Sequence, residues 1–520
     1  MLPVFSVAEM RALDRRTIAR LGIPGGTLME NAGRGAARAI VRAAGVLGLP
    51  RRGGRVVVVC GKGGNGGDGF VVGRHLAGAG RRVEVFLLAP VTELTGDPAA
   101  KHGELVRAGI KPRVVTDDAV LAPALARADL VVDALLGTGA RGVPAPLVAR
   151  AIARVNACGR PVVALDIPSG LPGDGETPEG AVVRAALTTT FAGLKRGLVG
   201  GRGPEYAGRV EVVDIGIPPV EVGRGISTFL VERSDVAALF PPRPRDGHKG
   251  IYGHLLLLAG SVGKTGAAAL AARAAMRAGA GLVTVATPAS AQPVVASLVL
   301  EAMSVPLPET PAHTVAPSAA PRIAELAAER DAVALGPGLG LDDDTLALVR
   351  DLARALDRPT ALDADALSAL AGHLDALRAA RGPRVLTPHP GEMARMLGVK
   401  TEDVQRDRIG VARQFATTYG VHLVLKGATS VVASPDGRIR LNPTGNPGMA
   451  SGGTGDVLTG ILGAFLARGL TPGNALMAAV WLHGMAGDIA AEYTGQEALV
   501  ASDVIDALPE AFDRLTRGDD

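Results

Sequence analysis

Aromatic side chains are scarce in this chain: nine Phe, four Tyr and one Trp among 520 residues. Its cores must be built from Ala, Val, Leu and Ile, and the aromatic platforms on which single-stranded nucleic acid stacks are not expected. Cysteine is scarcer still. Cys60 and Cys158 stand far apart with no C-x-x-C pair, which argues against a disulfide framework or a zinc site and for a reducing, cytoplasmic setting. Neither sign of charge dominates, with 55 Lys and Arg against 51 Asp and Glu. No run of basic residues forms a stripe, so no nucleic-acid partner is expected. Long apolar runs are missing as well. Residues 266–286 come closest but carry Arg273 and Arg277, and residues 474–491 carry His483 and Asp488. Both read as buried helices, and no membrane partner is expected. The opening residues, MLPVFSVAEMRALDRR, have neither the basic start nor the apolar stretch of a signal peptide.

Glycine, by contrast, is abundant: 70 residues, roughly twice the usual share. In an ordered chain such an excess marks tight turns or places where backbone approaches a ligand closely. The length suggests two to four domains. Strand-like apolar runs at 55–60, 83–89, 130–134, 161–166 and 209–214 alternate with helical segments such as 69–78 and 146–156. Continuous Val/Leu strands spaced by helices indicate a parallel sheet covered on both faces. A Pro-rich, charged stretch at 240–250 breaks the pattern. A second α/β series follows, with strands at 254–259, 282–286, 332–336, 359–363, 384–387 and 422–426. No internal repeat joins the halves. The reading is two different α/β domains, 1–225 and 226–520.

The strand RVVVVC runs into GKGGNGGDG, residues 61–69, and then a helix. Strand, glycine loop and helix N-terminus together make an anion site, because free N–H groups and the helix dipole favour phosphate. GxGxxG fits twice, but the next strand ends VFLLAP with no acid for a ribose, which disfavours an ordinary dinucleotide dehydrogenase. Two more loops follow strands, one with Asp133 and one with Asp166 and Ser169. Ligands bind beyond the carboxyl ends of such strands. Asn65, Asp68, Asp133, Asp166 and Ser169 can therefore meet in one crevice. Carboxylates beside a phosphate loop call for a cation or a base, and hard cations take such oxygen ligands.

GKGGNGGDG, VDALLGTG and DIPSG together resemble the epimerase half of the bifunctional NAD(P)H-hydrate repair enzymes, over roughly residues 1–220. The resemblance implies a Rossmann-like, doubly wound domain. It places hydrated NAD(P)H against Gly64, Asn65, Gly66, Gly67, Asp68, Gly137, Thr138, Gly139, Ala140, Arg141, Gly142, Val143 and Asp166. It implies potassium on Asn65, Asp133 and Ser169, with Asp166 as the acid/base. The family often has two Asn before GGDG, whereas Gly64 replaces the first here. The TFAGLK segment resembles a later family motif and leaves the role of Lys195 open.

In the second domain, residues 263–265 (GKT) imitate the end of a P-loop. The required glycine at 258 is Leu258, so the motif is rejected. The stronger signal is SGGTGD, residues 451–456, ahead of a helical run at 457–466. Amides of Gly452, Gly453, Thr454 and Gly455 would form an anion nest suited to a phosphoryl group in transfer. Asp456 could take a proton from a hydroxyl there; the alternative is that it only caps the helix.

GGTGD resembles the signature of ribokinase-like enzymes. With HKGIYG, GPGLG, LDAD and TPHPGE it resembles the nucleotide-dependent NAD(P)H-hydrate dehydratases, over roughly 230–515. The resemblance implies hydrate contacts at Ala267, Gly338, His389 and Asp456. It implies ADP or ATP at Lys426, Gly427, Ala428, Thr429, Ser430 and Gly455, and a magnesium ion with the phosphates. Small molecules are thus the expected partners, and a homo-oligomer is left open. A vitamin-precursor kinase fused to a nucleotide-binding domain is the rival enzyme reading, and a nucleotide-binding scaffold the non-enzymatic one.

Overall fold

The computed structural model describes residues 1–50 and 53–517. The chain forms two compact units, Leu2–Ile226 and a second that begins at Ser227. Residues 518–520, the end of the expected second domain, lie outside the described residues. Among the described residues no helix is long and apolar enough to cross a membrane.

The first unit is built on a seven-stranded sheet, parallel throughout. The order across it is Arg113–Val114, Arg82–Leu87, Arg55–Cys60, Leu130–Ala134, Val162–Leu165, Leu187–Phe191 and Arg209–Val213. Val56 and Val58 belong to one core and Val57 and Val59 to the other. A strand buried on both faces has to be apolar at every position. From Arg55–Cys60 the chain adds strands on one side, then restarts on the other with Leu130–Ala134. That reversal opens a crevice beyond Cys60 and Ala134, where α/β sheets take ligands.

The helix expected at 69–78 begins earlier, at Gly64, and runs to Gly78. Packing is the cause. A Cβ on Gly66 would lie 1.8 Å from the carbonyl oxygen of Gly61, and one on Gly61 would lie 2.0 Å from that of Leu135. These glycines let the first helical turn rest directly on the strand ends. Gly63 and Gly64 differ, since a Cβ on either would meet nothing within 4 Å. The strand Leu187–Phe191 is not an apolar run. Its Thr188, Thr189 and Thr190 are nonetheless fully buried, and the Thr188 hydroxyl is satisfied by donating to the Ala207 carbonyl at 2.7 Å.

The strands of the second unit run in the order Met303–Leu307, Leu282–Pro288, His254–Leu258, Ala332–Leu335, Thr360–Leu362, Arg384–Leu386, His422–Leu425, Ser430–Ala433, Ile439–Asn442, Thr228–Leu230. All neighbours are parallel except around Ser430–Ala433, which is antiparallel to both of its own. The apolar stretch 266–286 divides into the helix Thr265–Arg277 and the strand Leu282–Pro288, the strand falling where 282–286 was expected. Gly279 makes the break with φ +87°, a left-handed turn that favours glycine. Small residues replace aromatics in this core. Ala268, Ala271, Ala272 and Ala275 are fully buried on that helix. A Cβ on Gly460, in the helix Thr454–Ala467, would lie 2.0 Å from the Ala271 carbonyl oxygen. The two backbones thus touch.

Gly66→Ala should lower the unfolding free energy of the first unit by about 3 kcal/mol, the upper end for overpacking, measured by thermal or urea unfolding. Gly64→Ala, with room for its methyl, should unfold like the wild type. Equal midpoints for Gly66→Ala and wild type would remove this account of the glycine loop.

Candidate active sites

In the first unit a cleft of about 1070 Å³ lies at the strand ends. It gathers Gly64, Asn65, Asp68, the segment from Gly137 to Val143, Asp166 and Lys195 along its walls. Gly66 and Gly67, also expected at the ligand, follow Asn65 in the first turn of the helix. A Cβ on Gly67 would lie 2.6 Å from the sulfur of Met29, itself on the cleft wall, so packing too requires glycine there.

Asp133 and Ser169 are fully buried beneath this cleft. The Asp133 carboxylate accepts from the Ser169 hydroxyl at 2.6 Å, the Ser169 N–H at 2.8 Å and the Leu135 N–H at 3.2 Å. Burial still pushes its carboxyl up to about 6, against the pull of those Ser169 and Leu135 bonds. Asn65 donates through Nδ2 to the Leu136 carbonyl at 2.8 Å. Its Oδ1 is buried without a hydrogen-bond partner. A buried polar atom left unpaired is costly and needs a reason. The Leu136 N–H donates to the Ser169 hydroxyl at 2.8 Å, so Leu136 links all three residues.

Asp166 sits at a strand end with φ 64°, a strained conformation for a residue with a side chain. Its N–H donates to the Thr189 carbonyl at 2.8 Å, which fixes the turn. Lys195, buried to 1% exposure, donates to Asp166 Oδ1 at 2.5 Å, to the Phe191 carbonyl at 2.7 Å and to the Thr190 hydroxyl at 2.9 Å. All three of its protons are committed. Lys195, whose role the sequence left open, is therefore the ion-pair partner of Asp166. Burial, with Asp166 adding to it, holds the Asp68 carboxyl well above the usual range.

In the second unit a cleft of about 720 Å³ is lined by His389, Lys426, Gly427, Ala428, Thr429, Ser430, Gly453, Thr454, Gly455 and Asp456. Gly453 is the N-cap of the helix Thr454–Ala467 and supplies φ 92°. Asp456 stands in the first turn of that helix, which carries no side-chain cap. The capping alternative for Asp456 is thereby excluded. Burial, aided by Asp363 and opposed by Lys426, pushes its carboxyl up to about 7. A group poised there suits proton abstraction near neutral pH.

Sequence reading did not place Asp363 or Glu392 in the site. Asp363 is buried, accepts from Lys426 Nζ at 3.1 Å and from the Thr459 hydroxyl at 2.6 Å. Burial works against its charge, but Lys426 and the hydroxyls of Thr459 and Thr387 hold it below the usual carboxylate range. Lys426 Nζ also lies 3.8 Å from Glu392. The signal for Asp363 was its place at a strand end, the same as for Asp133 and Asp166. His389 is an N-cap: its Nδ1 accepts from the N–H groups of Gly391 at 3.0 Å and Glu392 at 3.3 Å. The Arg408 guanidinium donates to the Ala428 and Leu425 carbonyls and so holds the loop from Lys426 to Ser430.

Two expected hydrate contacts stand to the side of this cleft. Ala267 and Gly338 meet each other, with a Cβ on Gly338 falling 3.0 Å from that of Ala267. They lie by the ends of His254–Leu258 and Ala332–Leu335, next to Lys264, which pairs with Asp365 at 3.2 Å. Gly452 adjoins the cleft in open space.

Comparison with known proteins sets these sites in a family. Residues 25–197 match the model of the YjeF-related protein N-terminus, and residues 255–510 match that of NAD(P)H-hydrate dehydratase. The bifunctional NAD(P)H-hydrate repair enzyme of Moorella thermoacetica is 44% identical over 514 residues, covering 98% of this chain and 96% of the relative. That of Thermofilum pendens is 40% identical over 516 residues, with 99% and 97% covered. Among solved structures, the ADP/ATP-dependent NAD(P)H-hydrate dehydratase of Bacillus subtilis, co-crystallised with ATP and magnesium, is 34% identical. It spans 55% of this chain and 98% of its own, with a TM-score of 0.48. With near-complete coverage of such relatives, the chain belongs to the family of bifunctional NAD(P)H-hydrate repair enzymes.

Proposed function

We propose that the protein restores NADH and NADPH from their hydrates. The first unit interconverts the R and S forms, and the second dehydrates the S form with ADP or ATP as phosphoryl donor. The observation that carries the dehydration is Asp456, a carboxyl held near 7 at a glycine-lined helix N-terminus, in the same cleft as the half-buried Lys426.

The hydrate carries its hydroxyl on the carbon beside the ring nitrogen, and hydroxide leaves poorly. Asp456 takes the hydroxyl proton as the oxygen attacks the donor's terminal phosphorus. The amides of Gly453, Thr454 and Gly455 face the phosphoryl oxygens, and Lys426 adds a cation where charge grows. Phosphate then departs, pushed by the nitrogen lone pair, and the neighbouring ring carbon gives up a proton to close the double bond. The loop from Lys426 to Ser430 holds the nucleotide. Magnesium on the nucleotide phosphates neutralises their charge.

In the first unit Asp166 is the acid/base, oriented by Lys195. Potassium fits Asn65, Asp133 and Ser169, a set of hard oxygen donors that includes the unpaired Asn65 Oδ1. Held there, the ion would balance the Asp133 carboxylate, while Asn65 and Ser169 hold the turn through Leu136.

Hydrated NADH with ADP should regain the absorbance of reduced nicotinamide and release phosphate. A stable phosphorylated product would instead mark a small-molecule kinase. The dehydration rate should rise with pH through about 7, as Asp456 loses its proton. Asp456→Asn should cut dehydration at least about a hundredfold and leave epimerisation in place. Survival of both activities removes the role of Asp456. Asp166→Asn should leave an enzyme that clears only one epimer when spontaneous interconversion is slow. The unfolding midpoint of the first unit should be higher in potassium chloride than in tetramethylammonium chloride, and Asn65→Ala should erase the difference. Indifference of the wild type to the cation removes the potassium site.

A further inference from the structure

The cleft of the first unit holds a carboxyl that no motif points to. Asp14 lies on the helix Val7–Leu21, ahead of the matched segment that starts at residue 25. Met10, Leu13 and Thr17 of this helix are buried. Asp14, half-buried, lines the cleft with Met10, Arg11 and Ile18. Among the described residues it makes no hydrogen bond and no ion pair, although Asp68, Asp166 and Lys195 line the same space.

Three carboxyls share one ammonium, and Lys195 spends every donor on Asp166, Thr190 and Phe191. Lys195 has no donor left for Asp14, which keeps a proton more readily than an exposed acid. Burial raises it above the usual carboxylate range; Lys195 and Arg15 oppose and Asp166 adds to the rise. Of the other charged groups on the cleft walls, Lys62 and Glu93 pair with each other at 2.8 Å; Arg11 and Arg141 complete the set.

We propose that Asp14 is the proton donor of the first unit, a catalytic residue working with Asp166 on the hydrate's ring hydroxyl. The inference rests on the epimerase reading above and extends it. Asp14 gives its proton to the hydroxyl oxygen, the carbon–oxygen bond breaks, and water leaves. The ring nitrogen's lone pair forms the carbon–nitrogen double bond. Water then adds to the opposite face, the nitrogen regains its pair, and Asp166 accepts the proton released. One proton has moved from Asp14 to Asp166, and solvent returns it. An acid from a helix and a base from a strand end meet the requirement for two carboxyls in opposite protonation states.

The test is interconversion of purified R and S hydrated NADH by the full chain without ADP, followed by chromatography across pH. Wild-type kcat should fall as pH rises and Asp14 loses its proton. Asp14→Asn should lower kcat at least about a hundredfold, keep KM and abolish that alkaline fall. Asp14→Glu should restore part of the rate. A flat wild-type profile overturns the proposal, which keeps it testable even where Asp14→Asn fails to fold. So does an Asp14→Asn enzyme with wild-type kcat, or an alkaline fall lost only in Asp68→Asn. A wild type that cannot interconvert the epimers overturns the epimerase reading itself, a separate result.

Discussion

Both units depend on one constraint: the helix that opens at the cleft must pack with its backbone directly against a neighbouring backbone, a strand end in the first unit and a helix in the second. The Gly64–Gly78 helix rests on Gly61 through Gly66, and Thr454–Ala467 lies on Ala271 through Gly460. Any side chain at these contacts would collide with a carbonyl oxygen. Once seated, the Gly64–Gly78 helix opens at the crevice where the strand order reverses, and Thr454–Ala467 opens in the cleft lined by Asp363, His389 and Lys426. The anion-binding property is thus a by-product of close packing, and the glycines that permit packing are mostly different from those that face open space.

The two clefts share an electrostatic plan on different frames. In each, one lysine pairs with a strand-end aspartate: the buried Lys195 with Asp166, the half-buried Lys426 with Asp363. In each, further carboxyls surround that pair and are held above their usual range, Asp68 and Asp14 in one and Asp456 in the other. A single cation cannot satisfy several acids in a desolvated space, so some acids retain protons. Sites of this kind contain a proton donor and a proton acceptor at the same pH.

Much of this was legible in the sequence. The Val run at 56–59 announced a strand buried on both faces, and the strand-end aspartates announced the crevices. Other parts were hidden for physical reasons. Thr188, Thr189 and Thr190 look polar, yet their strand is buried because the sheet and nearby carbonyls satisfy the hydroxyls. Gly66 and Gly67 look like ligand contacts in a motif, and only the packing shows what fills the space beside them. His389 stood out as a ligand, while its Nδ1 is engaged in capping. Asp14 carries no pattern, because a lone acid on an amphipathic helix is an ordinary surface residue until the cleft beside it is known.

Asp166, Ala364 and Thr429 hold left-handed backbone without being glycine. Each such residue stores on the order of 1–3 kcal/mol of strain. All three sit at the two sites, two of them beside or within a lysine–aspartate pair. The turns around them therefore cost less to open locally than unstrained turns with the same contacts would. Local opening at these turns would cost the sites their geometry while the Val and Ala cores still stand.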